Sequence, residues 1–217
     1  PGIALAVVAS KLSDNEQREI YTDLLSYVVR RAICGLSNKG YNKIFLQLLK
    51  RNRKSELTPH RIRAALASLR GEASRWPSDA DFMNAWLNAR FIPRVGEIGR
   101  VRYVLTALES QMRTAKSEEP VLPSLDKLDV DHILPESWIA HWPVAGKLVT
   151  KEELRAAIDT ELMFGILTPD QQPIMKREAI KHTIGNLTLL HYGVNRSLQD
   201  GPFLKKRDEL FKHSNLH

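Results

Sequence analysis

One cysteine, Cys34, stands in 217 residues. That excludes an internal disulfide and any zinc cluster built on several thiolates, and it fits a reducing compartment. Long apolar runs are missing as well. None approaches the ~20 residues a membrane helix needs, so no membrane association is expected. The opening PGIALAVVAS is apolar but short, and no basic segment precedes it, so it does not read as a signal peptide. The first residue is Pro1 rather than Met, which is compatible with a fragment of a longer protein. The first half offers no strong strand signal, and no internal repeat is visible. What remains is an ordinary globular mixture, 43% hydrophobic and 26% charged. It is long enough for one or two domains with a core that folds unaided.

Charge is unbalanced. The net charge is +7 and the pI about 9.6. Excess Lys and Arg create a field that attracts polyanions, of which phosphate backbones are the commonest. Many basic proteins bind no nucleic acid, so the charge alone decides nothing.

From Ser13 to about Arg113 the pattern predicts helices. Ser13 with Glu16 is a capping-box signature. Ile20, Leu24 and Val28 form an apolar stripe, and Gly35 closes that helix. In YNKIFLQLLKRN, Ile44, Phe45, Leu48 and Leu49 share a face. Thr58-Pro59 starts another helix, with Ile62, Leu66 and Leu69 inward. A further helix after Pro77-Ser78 turns Phe82, Trp86 and Leu87 inward. The next carries Ile98, Val101, Leu105, Leu108 and Met112. The basic residues Arg30, Arg31, Lys39, Lys43, Arg51, Arg53 and Lys54 are expected on solvated faces. RNRK, Arg51 to Lys54, is the best candidate there for reaching a phosphate backbone. KSEEPVLPS, Lys116 to Ser124, is polar, breaks the periodicity and reads as a linker.

The chemistry-bearing residues come after it. In LDKLDVDHILP, Leu128, Val130, His132 and Leu134 share one phase, and Asp129, Asp131 and Ile133 the other. That alternation predicts a short strand ending at Pro135. Thr150 with Glu153 caps a helix in the long connection that follows. Ile184 to Leu190 in HTIGNLTLL predicts a second strand, entered through Gly185. A helix follows from Val194, with Gly193 at its entry. PFLKKRDELFKH predicts a final basic helix with Phe203, Leu210 and Phe211 buried.

DVDHILP, then IGNLTLL, then Asn195 resembles the HNH nucleases, the ββα-metal or His-Me finger family. HTIGNLTLL…N…PFLKKRDEL is similar to one branch of it. That branch is the C-terminal nuclease domain of modification-dependent Type IV restriction enzymes and related phage-defence proteins. The resemblance is close over Leu125 to His213, and looser over Tyr21 to about Arg113, where YVVRRAICGLSNKGYNKIF resembles the helical region that joins the two parts of such proteins. It implies an α+β, mostly α fold, with a helical scaffold over residues 1–118 and a ββα-metal nuclease domain with an inserted helix over 119–217. It also implies double-stranded foreign or phage DNA as substrate, Mg2+ or Mn2+ as cofactor, an upstream ParB-like NTPase domain, and a bacterial cytoplasmic setting.

The residue types suit that chemistry. Cutting a phosphodiester needs an activated water, positive charge at the scissile phosphate and help for the leaving oxygen. His132 would be the general base, since an imidazole near neutrality can accept a proton from water. Asp131 would hold the divalent cation, with Asn195 as a second oxygen ligand. Asn186 would orient the His132 ring. Lys206 matches a Phe-x-x-Lys pattern of that branch and is expected on phosphate, with Lys205, Arg207, Arg196 and Lys181 as further DNA contacts.

Other readings stay open. Asp131 and His132 point to opposite faces of a regular strand, so the strand must end or twist for both to serve one site. Asp129 rivals Asp131 as the ligand. His132 also fits a buried structural histidine, Asn186 a turn residue, and Asn195 a helix N-cap. His182 and His191 read as structural or DNA-facing, and Trp138 and Trp142 as core or lid residues. A DNA-binding module without catalysis, or a scaffold docking an NTPase, would share the same composition.

Overall fold

The computed structural model describes residues 2–52, 57–91, 98–112, 127–198, 201–213 and 216. Within them helices predominate, with one two-stranded sheet, an α+β, mostly α fold. Two compact units divide the chain, Pro1–Trp86 and Leu87–His217. The linker expected at Lys116 to Ser124, and with it the expected boundary at 118/119, lies outside the described residues. So do Arg53 and Lys54 of the RNRK segment.

The first unit is built from α1 (Gly2–Val8), α2 (Asp14–Ile33), α3 (Tyr41–Asn52) and α4 (Pro59–Ala67), with most of α5 (Asp79–Asn88). The Ser13 and Glu16 capping box starts α2 as the sequence predicts, and Gly35 follows it at φ 68°. Each helix contributes its apolar stripe to one core. Ile3 and Val7 meet Ile20, Leu24, Tyr27, Ile44, Leu48, Ile62 and Leu66.

Arg31 corrects an expectation. It is fully buried, not on a solvated face. Its guanidinium donates to the carbonyls of Ser37 at 2.7 Å, Arg75 at 2.8 Å and Ala73 at 3.1 Å, and lies over the Tyr27 ring. A guanidinium can be buried this way because its fork matches several carbonyls at once. It ties α2 to the segment after α4. Leu87, expected inward, is exposed, and α5 buries none of its residues fully.

The second unit centres on an antiparallel hairpin of β1 (Leu128–His132) and β2 (Leu187–His191). Asp131 pairs with Thr188 and His132 with Leu187. The second strand starts at Leu187 rather than Ile184, because Ile184–Asn186 form a 3-10 turn. α6 (Ile98–Met112) covers the hairpin with Val101 and Leu105, while Ile98 and Met112 stay exposed.

Between the strands lies an insertion with α7 (Lys151–Leu162) and α8 (Gln171–Ile180). It has its own core of Leu134, Trp138, Val149, Ala157, Ile174 and Met175. The Thr150 and Glu153 capping box holds the start of α7, as expected. α9 (Tyr192–Leu198) follows β2 without a loop, and α10 (Phe203–His213) ends the unit. Leu190, Leu198 and Leu210 pack together beneath the hairpin. Phe203 and Phe211, expected to be buried, are exposed, and Lys206 and Leu210 form the inner face of α10 instead. Phe203 leans on Trp142, ring centroids 5.1 Å apart.

Candidate active site

The end of β1 places the expected pair in one pocket. An open cavity of about 480 Å³ is lined by Asp131, His132, Pro135, Glu136 and Ser137. On a regular strand Asp131 and His132 would face opposite ways. The chain leaves β1 after His132 and turns at Pro135, so both residues reach the same opening.

Asn186 fixes that turn. Its side-chain oxygen accepts from the Leu134 amide at 2.7 Å. Its amide group donates to the Leu134 carbonyl at 3.0 Å and to the Lys181 carbonyl at 2.7 Å. The backbone adds a bond from Ile133 N to Asn186 O at 2.8 Å. The sequence placed Asn186 on the His132 ring. The structure puts it on the chain just beyond, where its side chain bonds Leu134 and Lys181 and not the ring. A buried primary amide suits this place, since it donates and accepts at once.

The ring next to His132 is His182. His132 Nε2 and His182 Nδ1 are 3.2 Å apart, with the ring planes at 74°. Burial lowers the pKa of His132, and the neighbouring His182 and Lys206 add to this against the opposing pull of Glu136 and Asp131. Burial also lowers that of His182, helped by Arg90 and Lys181. Burial thus favours the uncharged form of both rings, and in that form one accepts the hydrogen bond the other donates.

Asp131 has a partner that the sequence did not reveal. Lys206, fully buried on α10, brings its ammonium to 2.8 Å from Asp131 Oδ2. The same group donates to the His132 carbonyl. A lysine buried to this depth needs such oxygens to offset its lost hydration. Asp129 sits at the other end of the strand with Arg102 at 4.0 Å.

Asn195 is half-buried on α9, which packs against both strands. It lies inside that helix, so it is not the N-cap. Lys181 pairs with Glu178, whose other carboxylate oxygen accepts from the Trp138 indole at 3.1 Å. Lys206 and Lys181 are thus held in internal ion pairs and do not stand free on the surface. Lys205, Arg196 and Arg207 are exposed; Arg196 lies over the Tyr192 ring and Arg207 pairs with Asp208 at 2.8 Å.

Two residues at the pocket carried little signal in the sequence. Glu136 brings a carboxylate to the pair of rings, so that His132, Glu136 and His182 each offer a ligand atom within 4.8 Å of one another. The only cue for His182 was its position just before the GN turn. Glu136 looked like any polar residue after a proline.

For a divalent cation at Asp131, the pocket offers the carboxylate oxygens of Asp131 and Glu136, a kind that suits Mg2+ or Mn2+, while Asn195, the expected second ligand, is not among the residues that line it. Lys206 already holds Oδ2, so a cation there must share the carboxylate with that ammonium or displace it.

Among the described residues no helix is long and apolar enough to cross a membrane. No curated protein and no solved structure matches the chain. One family model does match: that of GmrSD restriction endonucleases, C-terminal domain, over residues 76–217, more than half of the chain.

Proposed function

Since the chain belongs to the family of GmrSD restriction endonuclease C-terminal domains, we propose that its second unit is an HNH-type, divalent-metal-dependent DNA endonuclease. The observation that carries this reading is the shared pocket of Asp131 and His132 at the end of β1. His132 is the general base. Its depressed pKa keeps the ring neutral and ready to take a proton from the attacking water. Asp131 and Asn195 are the oxygen ligands for Mg2+ or Mn2+. A bound cation would supply positive charge at the scissile phosphate. Asn186 holds the turn that presents the base. Exposed Lys205, Arg196 and Arg207 meet backbone phosphates, which positions the duplex without reading its sequence.

The pocket at the end of β1 acts on one strand, so a single nick is the expected product. The biological role is restriction of foreign or phage DNA in a bacterium, gated by an upstream ParB-like NTPase domain. Of the expected scaffold over residues 1–118, the first unit, Pro1–Trp86, serves as the helical scaffold between the two, and Ile98–Met112 belongs with the hairpin it covers.

A second reading has one observation in its favour. The Lys206 ammonium supplies Asp131 with a positive charge of its own, as expected of a module that binds DNA without cutting it. A supercoiled-plasmid assay with Mg2+, Mn2+, Ca2+ or chelator separates the two. Nicking by the wild-type chain with Mg2+ or Mn2+, and none by His132→Ala, supports the nuclease. Binding without cutting under every ion defeats it.

A further inference from the structure

From the three donors grouped beside the base, we infer that His132, Glu136 and His182 form a second metal site, one that takes a nitrogen-preferring transition ion such as Zn2+ and thereby blocks the base. The site is distinct from the oxygen-donor site at Asp131.

The geometry suits such an ion. Zn2+ bound at about 2.0–2.1 Å by two imidazoles in a tetrahedron holds their nitrogens about 3.3 Å apart. His132 Nε2 and His182 Nδ1 are 3.2 Å apart. At that separation the two nitrogens cannot both carry a proton toward each other, so one lone pair is already directed into the gap. Glu136 supplies the third donor within 4.8 Å of both. The cavity leaves the fourth position to water, as in zinc sites with three protein ligands.

The donor set also decides which metals compete. Two imidazoles and one carboxylate favour Zn2+, Co2+ or Ni2+, whereas Mg2+ prefers oxygen and keeps its waters. The two sites therefore choose different ions, yet they share the residue that abstracts the proton. An imidazole nitrogen bound to Zn2+ has no lone pair left for water. The inhibition rests on the reading of His132 as general base; the binding does not.

The test begins without DNA. The purified chain is titrated with Co2+ by visible absorption, and with Zn2+ against a chromophoric chelator. The expected result is one equivalent of Co2+ with the intense visible absorption of a tetrahedral rather than an octahedral ion, displaced by Zn2+. Glu136→Gln, an exposed position that leaves the fold intact, weakens Zn2+ by about 10-fold. His182→Ala, checked for folding by circular dichroism, weakens it by about 100-fold. His141→Ala changes nothing. Equal Zn2+ affinity in all four proteins overturns the site.

The second arm adds Zn2+ to a Mg2+ nicking reaction. Nicking stops in wild type, and Glu136→Gln needs about 10-fold more Zn2+ for the same effect. Zn2+ that accelerates nicking overturns the inhibition. A chain that binds Zn2+ through these residues but never nicks keeps the site and defeats the nuclease reading. One that nicks with Zn2+ affinity unaltered by the variants does the reverse.

Discussion

The Lys206 ammonium sits 2.8 Å from Asp131 Oδ2, and the pair joins the final helix to the end of the first strand. Breaking a buried pair leaves one charge without compensation. Lys206→Met should therefore destabilise the chain by about 3 kcal/mol, by the usual cost of an orphaned buried charge. Adding Asp131→Asn should recover part of the loss. Urea denaturation of the two single variants and the double measures the coupling, and strict additivity would show that the pair contributes nothing.

His132→Ala should lower plasmid nicking by about 10²–10⁴-fold, the range for a lost general base. Gel-shift affinity for the same DNA should hold. A parallel fall in affinity would mean that the ring binds substrate and does not act on water.

Asn186→Ala removes all three side-chain bonds to Leu134 and Lys181. The stranded buried groups should cost about 1–3 kcal/mol. Nicking by the folded protein should fall too, because the turn that presents His132 loses its clamp. Thermal melting and a nicking assay well below the new midpoint separate the two effects. Asn186→Asp should not rescue either one, since a carboxylate cannot donate to those carbonyls.

Arg31→Met tests the first unit alone. Several carbonyls lose their donor inside a packed core, so stability should drop by about 3 kcal/mol or more. Nicking per folded molecule should stay at the wild-type level. Selective loss of activity without loss of stability would contradict a structural role for Arg31.

Acid should weaken the fold through the two facing histidines. Both have pKa values below the ordinary 6.5 when folded. The unfolded chain therefore takes up protons first as pH falls through 6.5. Their contribution is fully present above that pH and is lost as pH drops toward the folded values. Denaturation midpoints between about pH 7 and about pH 5 should fall more steeply in wild type than in His132→Gln/His182→Gln. Parallel slopes would show that burial leaves both rings unperturbed.

The helices were legible because their signals are local. The capping boxes at Ser13 and Thr150 and the Thr58-Pro59 start depend on neighbours three or four residues away. The short strand ending after His132 was legible too, from its alternation and Pro135, whereas the turn at Ile184–Asn186 was read as strand. What escaped was contact between residues remote in sequence. His182 meets His132 fifty residues away, and Lys206 meets Asp131 through α10. The Phe-x-x-Lys resemblance put Lys206 on phosphate alongside Lys205 and Arg207. Only the helix face it shares with Leu210 turns it inward. Phe203 and Phe211 failed as core residues for the converse reason, since being hydrophobic does not say which side of a helix is covered.

The collar formed by Ile133, Leu134 and Asn186 closes the root of the α7–α8 excursion. That excursion has its own apolar centre. The collar also carries both ends of the excursion, Glu136 and His182, to the His132 ring, while Trp142 ties it to Gly201 and Phe203 beyond β2. A change in the apolar centre of the excursion would therefore be felt at the pocket, through the two stretches of chain that enter and leave it.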